Sequence, residues 1–88
     1  MKTIWKYELE TTDLQEIEMP HAAKILTVQV QNGVPCIWCL CNPNNLKQFR
    51  TIQTIGTGHE KENIKGIYIG TYQLLEGSVV FHVFDVRY

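Results

Sequence analysis

The chain has 88 residues, of which 44% are hydrophobic, so it is long enough to bury a core and its composition excludes a natively disordered chain. The length predicts a single domain over residues 1–88. The formal net charge is −1 and the charged residues are scattered, which excludes the broad basic surface of a protein that binds long nucleic acids or anionic membranes.

The N-terminal segment and the cysteine content indicate a cytosolic protein. Glu8, Glu10 and Asp13 follow the first seven residues, where a secretory signal would have an apolar run. The longest apolar stretch, 34–41, is too short to cross a bilayer. The three cysteines are an odd number and lie close together, which favours reduced thiols over a disulfide framework. We therefore expect a protein of the host cytosol that crosses no membrane.

Apolar and polar residues alternate along the first half of the chain, as in half-buried strands. This pattern predicts strands over residues 3–9 and 14–19. The Asn32-Gly33 dipeptide tolerates the positive φ of a type I′ turn, so it predicts a hairpin between strands 25–31 and 34–41. The resulting register pairs Val28 with Ile37 and Leu26 with Cys39, all on one buried face.

The second half of the chain has the same period. It predicts strands over residues 48–55, 67–75 and 78–88, with Arg50 and Ile52 on one face of the first of them. A tight turn at Glu76-Gly77 would place Leu74 opposite Val79. Residues 60–65 are polar and predict a loop. The expected fold is a small antiparallel all-β sandwich or barrel of about six to seven strands built from hairpins.

The cysteines do not form a convincing metal site. Cys36 and Cys39 have the spacing of a C-x-x-C pair, but residues three apart on a strand point to opposite faces. Cys39 and Cys41 share a face, and His59 is a conceivable third ligand, yet no fourth ligand stands nearby in the sequence. No nucleophile, base and acid occur in a recognisable arrangement. We expect no metal, no cofactor and no enzymatic activity.

The segment 56–59 carries the clearest hint of a ligand. Its two glycines allow successive backbone N–H groups to converge on an anion, and its histidine adds a donor. A plain turn between strands is the alternative, because glycine commonly marks turns. Arg50 is a candidate charge partner, and an aromatic ring could stack on a base. The predicted site for a phosphate-bearing small molecule comprises Arg50, Gly56, Thr57, Gly58, His59 and Trp38.

Several sequence blocks resemble a known family as a set. They are KTIWKYEL at 2–9, VQVQNG at 28–33, PCIW at 35–38, GTGH at 56–59 and FHVF at 81–84. In these blocks the chain is similar to a family of short phage and prophage proteins of unknown function. The resemblance implies a viral or mobile-element origin and names no activity.

Two functions are compatible with these features. The first is a small binding protein that assembles as a homo-oligomer and sequesters a nucleotide-like immune signal, which would be a counter-defence role. The second is a protein-interaction module that inhibits or caps a host protein, or an accessory phage structural protein, acting through strand edges or an apolar patch.

Overall fold

The computed structural model describes residues 1–86, which form two antiparallel sheets packed as a small all-β sandwich. The predicted fold class is therefore confirmed. Three strands form the first sheet, in the order β1-β4-β3, and four form the second, in the order β2-β5-β7-β6. The strands are β1 (Thr3–Glu8), β2 (Leu14–Pro20), β3 (Lys24–Gln31), β4 (Val34–Cys41), β5 (Lys47–Gly56), β6 (Ile67–Leu74) and β7 (Val79–Asp85).

The β3–β4 hairpin forms at the predicted turn. Asn32 and Gly33 have φ values of 52° and 80°, as a type I′ turn requires. Val28 pairs with Ile37 as predicted, but a bulge between Ile25 and Thr27 shifts the register beyond that point. Ile25 consequently pairs with Cys39. The prediction that Leu26 is buried opposite Cys39 is wrong, because the bulge leaves Leu26 43% exposed.

The β6–β7 hairpin also has the predicted register near its turn. Leu74 pairs with Val79, and the connection Leu75–Gly77 is a short 3-10 turn in which Leu75 and Glu76 have left-handed φ values of 51° and 55°. A second bulge, between Tyr68 and Gly70, places Tyr68 rather than Ile69 opposite Phe84. The last two residues of the predicted strand 78–88 lie outside the described residues.

The core lies between the two sheets and is built from the alternate side chains of the central strands. Met19, Ile37, Ile52 and Val83 are completely buried. The sheets approach each other closely at Gly70, where a Cβ would lie 2.8 Å from Val28 Cγ1. Burying each aliphatic side chain contributes about 1.5–3 kcal/mol. A side chain at position 70 would collide with Val28, so the packing of β6 on β3 requires glycine at this position.

Segment 57–66 connects two strands that are parallel to each other. Both β5 and β6 pair antiparallel with β7, so the chain must return along the length of the sheet between them. It does so without a helix or strand. Asn63 and Lys65 of this segment line a small depression with Gln53, which lies on the face of β5 opposite Ile52 and is still buried.

Candidate ligand-binding groove

Arg50 is a buried charged residue at the start of β5. It shares the core-facing side of the strand with Ile52, as predicted, and is 8% exposed. Its Nη2 donates a hydrogen bond to Asp85 Oδ2 at 2.5 Å, and its Nη1 donates to the Ala23 carbonyl at 2.7 Å. A buried guanidinium needs such partners because desolvating an unpaired charge costs several kcal/mol. Arg50 thereby joins β5, β7 and the turn before β3.

The turn between β2 and β3 lies directly over Arg50. The Ala23 N–H donates to the Pro20 carbonyl at 3.2 Å, which closes a four-residue turn, and Ala22 within it has a left-handed φ of 64°. A non-glycine residue in that region costs about 1–2 kcal/mol. The surrounding structure must therefore hold the turn in place.

His21 fastens this turn to the loop before β5. Its N–H donates to the Leu46 carbonyl at 2.7 Å, and its carbonyl accepts from Asn45 Nδ2 at 3.0 Å. Its ring Nδ1 lies 2.9 Å from Gln48 Oε1. The backbone N–H, the carbonyl and one ring nitrogen of His21 thus all have hydrogen-bond partners. These bonds hold the turn in place without a ligand.

An open groove of about 660 Å³ lies between this turn and β5. It is lined by His21, Ala22, Ala23, Lys24, Gln48, Arg50 and Val86, hereafter the basic groove. An adjoining depression of about 470 Å³ shares His21 and Gln48 with it and adds Lys47. Asp85 neutralises Arg50, so the net positive charge comes from the exposed lysines at the rim. The volume is in the usual range of small-molecule sites, about 300–1,000 Å³.

The glycine segment 56–59 forms a tight turn beyond the end of β5. The Thr57 N–H donates to the Val80 carbonyl and the His59 N–H donates to the Gly56 carbonyl, both at 3.0 Å. The His59 ring packs on Gly56, where a Cβ would lie 2.9 Å from ring atoms. Two of the amides considered for anion binding therefore donate to carbonyls of the chain itself. A depression of about 300 Å³ lies beside the turn.

The structure does not bring the predicted site residues together. Arg50 and Gly56 lie near opposite ends of β5, six residues apart, which corresponds to about 20 Å along a strand. Trp38 is half-buried on the other sheet, and it points away from the core because its neighbours Ile37 and Cys39 are completely buried. The six predicted residues therefore lie in three separate regions: at Arg50, at the glycine turn 56–59 and at Trp38. Of these, only the region around Arg50 combines a groove with positive charge.

A chain of hydrogen bonds crosses the outer face of the four-stranded sheet near the glycine turn. His82 Nε2 lies 2.8 Å from Thr57 Oγ1, and His82 Nδ1 lies 3.0 Å from Thr71 Oγ1. Thr71 Oγ1 in turn lies 2.5 Å from the Tyr68 hydroxyl. Both ring nitrogens of His82 thus have hydroxyl partners.

The cysteines lie on both faces of β4. Cys39 and Cys41 face the core, whereas Cys36 is on the opposite side, as the strand period predicts. Burial, together with the neighbouring Cys41, raises the pKa of the Cys39 thiol from 9.0 to about 11. Cys39 is therefore a protonated, unreactive thiol at neutral pH. Among residues 1–86, no three histidine, cysteine, aspartate or glutamate side chains converge as metal ligands.

Sequence reasoning missed four polar or charged residues of the groove and its support: His21, Lys24, Gln48 and Asp85. A signal for Asp85 was present, because Arg50 shares a face with the buried Ile52 and a buried cation needs an acidic partner. Asp85 lies between the apolar pair Val83-Phe84 and Val86. His21 and Lys24 had no comparable signal, because turn residues show no period.

The fold and the groove define a small all-β protein with an open groove that has exposed lysines at its rim and a buried arginine at its floor. The chain belongs to the family described as DUF7352, a domain of unknown function, whose model matches residues 1–88. No curated protein and no solved structure matches the chain. Within residues 1–86, no helix has the length and apolar character to span a membrane.

Proposed function

We propose that this protein binds a phosphate-bearing small molecule in the basic groove and holds it without turnover. The observation that carries the proposal is the position of Arg50 at the floor of a preformed groove beneath the β2–β3 turn. A guanidinium has five N–H donors, and Asp85 and the Ala23 carbonyl engage only part of this set. The remaining donors suit phosphate oxygens.

The rim of the groove supports an anionic ligand. The exposed Lys24 lines the groove, the exposed Lys47 lines the adjoining depression, and His21 lines both. The hydrogen bonds of His21 fix the turn before binding, so less ordering entropy is lost when a ligand enters. The groove is open to solvent, which suits capture and release better than an enclosed reaction chamber.

Calorimetry tests this assignment with inorganic phosphate, cyclic nucleotides, nucleoside diphosphates and ADP-ribose as ligands. We expect Lys24→Ala to weaken the binding of the best ligand about tenfold, since a hydrogen bond to a charged group contributes about 1.5–3 kcal/mol. Lys65→Ala is the matched control, because Lys65 is an exposed lysine on segment 57–66, outside the groove.

The binding should also weaken as salt increases, because the rim lysines are exposed to solvent. Equal losses in Lys24→Ala and Lys65→Ala would exclude the groove as the site. Binding that is lost only in Thr57→Val or His59→Ala would place the ligand at the glycine turn, the alternative location for the same ligand class.

The biological setting that we propose follows from the resemblance to short phage and prophage proteins. In that setting the protein acts in the host cytosol, where a homo-oligomer sequesters a nucleotide-like immune signal and so counters host defence. Native mass spectrometry of protein purified from cells measures both the stoichiometry and any retained small ligand. Co-purification of a nucleotide derivative would support sequestration.

The outer face of the three-stranded sheet favours a second candidate function, a protein-interaction module. Ile4 is 55% exposed and pairs with Leu40, and the half-buried Trp38 lies two residues away on β4. Such apolar surface on a sheet face is typical of protein contacts. In this case the partner is a host protein that is inhibited or capped, or another phage structural protein, and no ligand of the panel would bind.

A further inference from the structure

The β1 strand leaves one hydrogen-bonding edge open. It lies at the end of its sheet and pairs with β4 alone among residues 1–86. The Leu9 N–H donates to the Pro35 carbonyl at 2.8 Å, which shows that the backbone groups of odd-numbered residues point toward β4. Because these directions alternate along a strand, the N–H and C=O groups of Ile4, Lys6 and Glu8 point to the open edge.

The open edge is complementary to a second copy of itself. Two antiparallel β1 strands can form hydrogen bonds through these N–H and C=O groups only in registers that place even-numbered residues opposite each other. One register of high overlap places Lys6 opposite Lys6 of the second copy, which brings like charges together. The other places Lys2 opposite Glu8 of the second copy, twice by symmetry, and Ile4 opposite Lys6. Charge therefore selects the second register.

The selected register also places Trp5 opposite its own copy at the two-fold axis. Trp5 is half-buried and packs against the core from the edge strand. In this register the two tryptophans occupy a non-hydrogen-bonded pair, where cross-strand side chains are closest. Cross-strand aromatic pairs contribute about 0.5–1.5 kcal/mol beyond the area that they bury. The contact would cover the ring surface that a single copy leaves exposed.

We propose that two copies of the chain pair through their β1 strands to form a continuous six-stranded sheet. Its order is β3-β4-β1-β1-β4-β3, and the interface is closed because both copies use the same edge. This interface rests on the homo-oligomer of the proposed function and specifies its contact surface. It does not involve the basic groove, which the β2–β3 turn and β5 form.

Charge reversal tests the register directly. Lys2→Glu and Glu8→Lys each turn two attractive pairs into two repulsive ones, so we expect each variant alone to dimerise about tenfold or more weakly in sedimentation equilibrium. When the two variants are mixed, the acidic edges of one meet the basic edges of the other. With one variant labelled with nitrogen-15, native mass spectrometry should then show mainly heterodimers.

Ile4→Pro provides a backbone test. The Ile4 N–H points to the open edge, so proline removes a donor from the interface without removing a bond to β4. We expect a folded monomer. Glu62→Lys is the control, because Glu62 is exposed on segment 57–66, away from β1. It should leave the dimer unchanged.

Two results would overturn the interface: a monomeric parent protein at tens of micromolar, or a dimer whose stability is unchanged in Lys2→Glu, Glu8→Lys and Ile4→Pro. Ligand calorimetry on the same variants separates this outcome from failure of the proposed function. A monomeric variant that still binds its phosphate ligand would show that the groove acts independently of the interface.

Discussion

Arg50 on β5 and Asp85 at the end of β7 form an ion pair inside the sandwich, with Nη2 and Oδ2 2.5 Å apart. The two residues are on adjacent strands of the same sheet, where Asp85 pairs in register with Ile52. Their side chains are 9% and 5% exposed. The pair therefore connects the floor of the basic groove to the core.

Removing one partner of this ion pair should destabilise the fold more than replacing both partners with apolar residues. Arg50→Met removes a buried cation that donates to both Asp85 and the Ala23 carbonyl, so we expect a loss of about 3–5 kcal/mol. The double variant with Arg50→Met and Asp85→Leu should recover part of that loss, because two apolar side chains need no charge compensation. Urea unfolding measures both. A double variant no more stable than Arg50→Met would contradict the coupling.

Substitution of Gly66 should be far more harmful than substitution of Gly58. Both have left-handed φ values, 117° and 84°, but a Cβ at Gly66 would collide with the Asp85 carbonyl oxygen, whereas a Cβ at Gly58 meets nothing within 4 Å. We expect Gly58→Ala to cost about 1–2 kcal/mol and Gly66→Ala at least about 3 kcal/mol. Equal losses in urea unfolding would mean that segment 57–66 does not pass against β7.

Val28→Asp should unfold the protein. Val28 is 3% exposed and lies against Gly70 of the other sheet, so aspartate would place an unpaired charge between the sheets. Val30→Asp is the matched control, because Val30 is two residues further along the same strand and is 38% exposed. The control should retain a cooperative thermal transition, and a folded Val28→Asp variant would invalidate the packing of β3 on β6.

The free energy of unfolding should fall as the pH rises from about 9 to about 11. Burial raises the pKa of Cys39 to about 11, so the unfolded chain loses this proton before the folded protein does. Burial also raises the pKa of Tyr7 and Tyr72 above 10.0, which adds to the fall in the same direction. Urea unfolding at several pH values measures the slope, which should be shallower in Cys39→Ala. If the free energy of unfolding fell equally with pH in the parent protein and in Cys39→Ala, the raised pKa of Cys39 would be contradicted.

The sequence by itself determined the fold class and the registers near the hairpin turns. A period of two cannot be confused with the helical period, and Asn32-Gly33 favours one turn geometry. The pairing of Val28 with Ile37 and of Leu74 with Val79 therefore followed from local rules. The position of Arg50 on the same strand face as Ile52 followed from the same alternation, whereas its burial is seen only in the structure.

Only the tertiary structure decided where the registers shift and which residues meet at the groove. The bulges at Leu26 and Ile69 add one residue to a strand without a clear local signal, so the alternation alone placed Leu26 in the core. Arg50 and Gly56 are near in sequence yet lie far apart, because a strand is extended. Arg50 and Ala23 are distant in sequence and meet, because the β2–β3 turn passes between the two sheets.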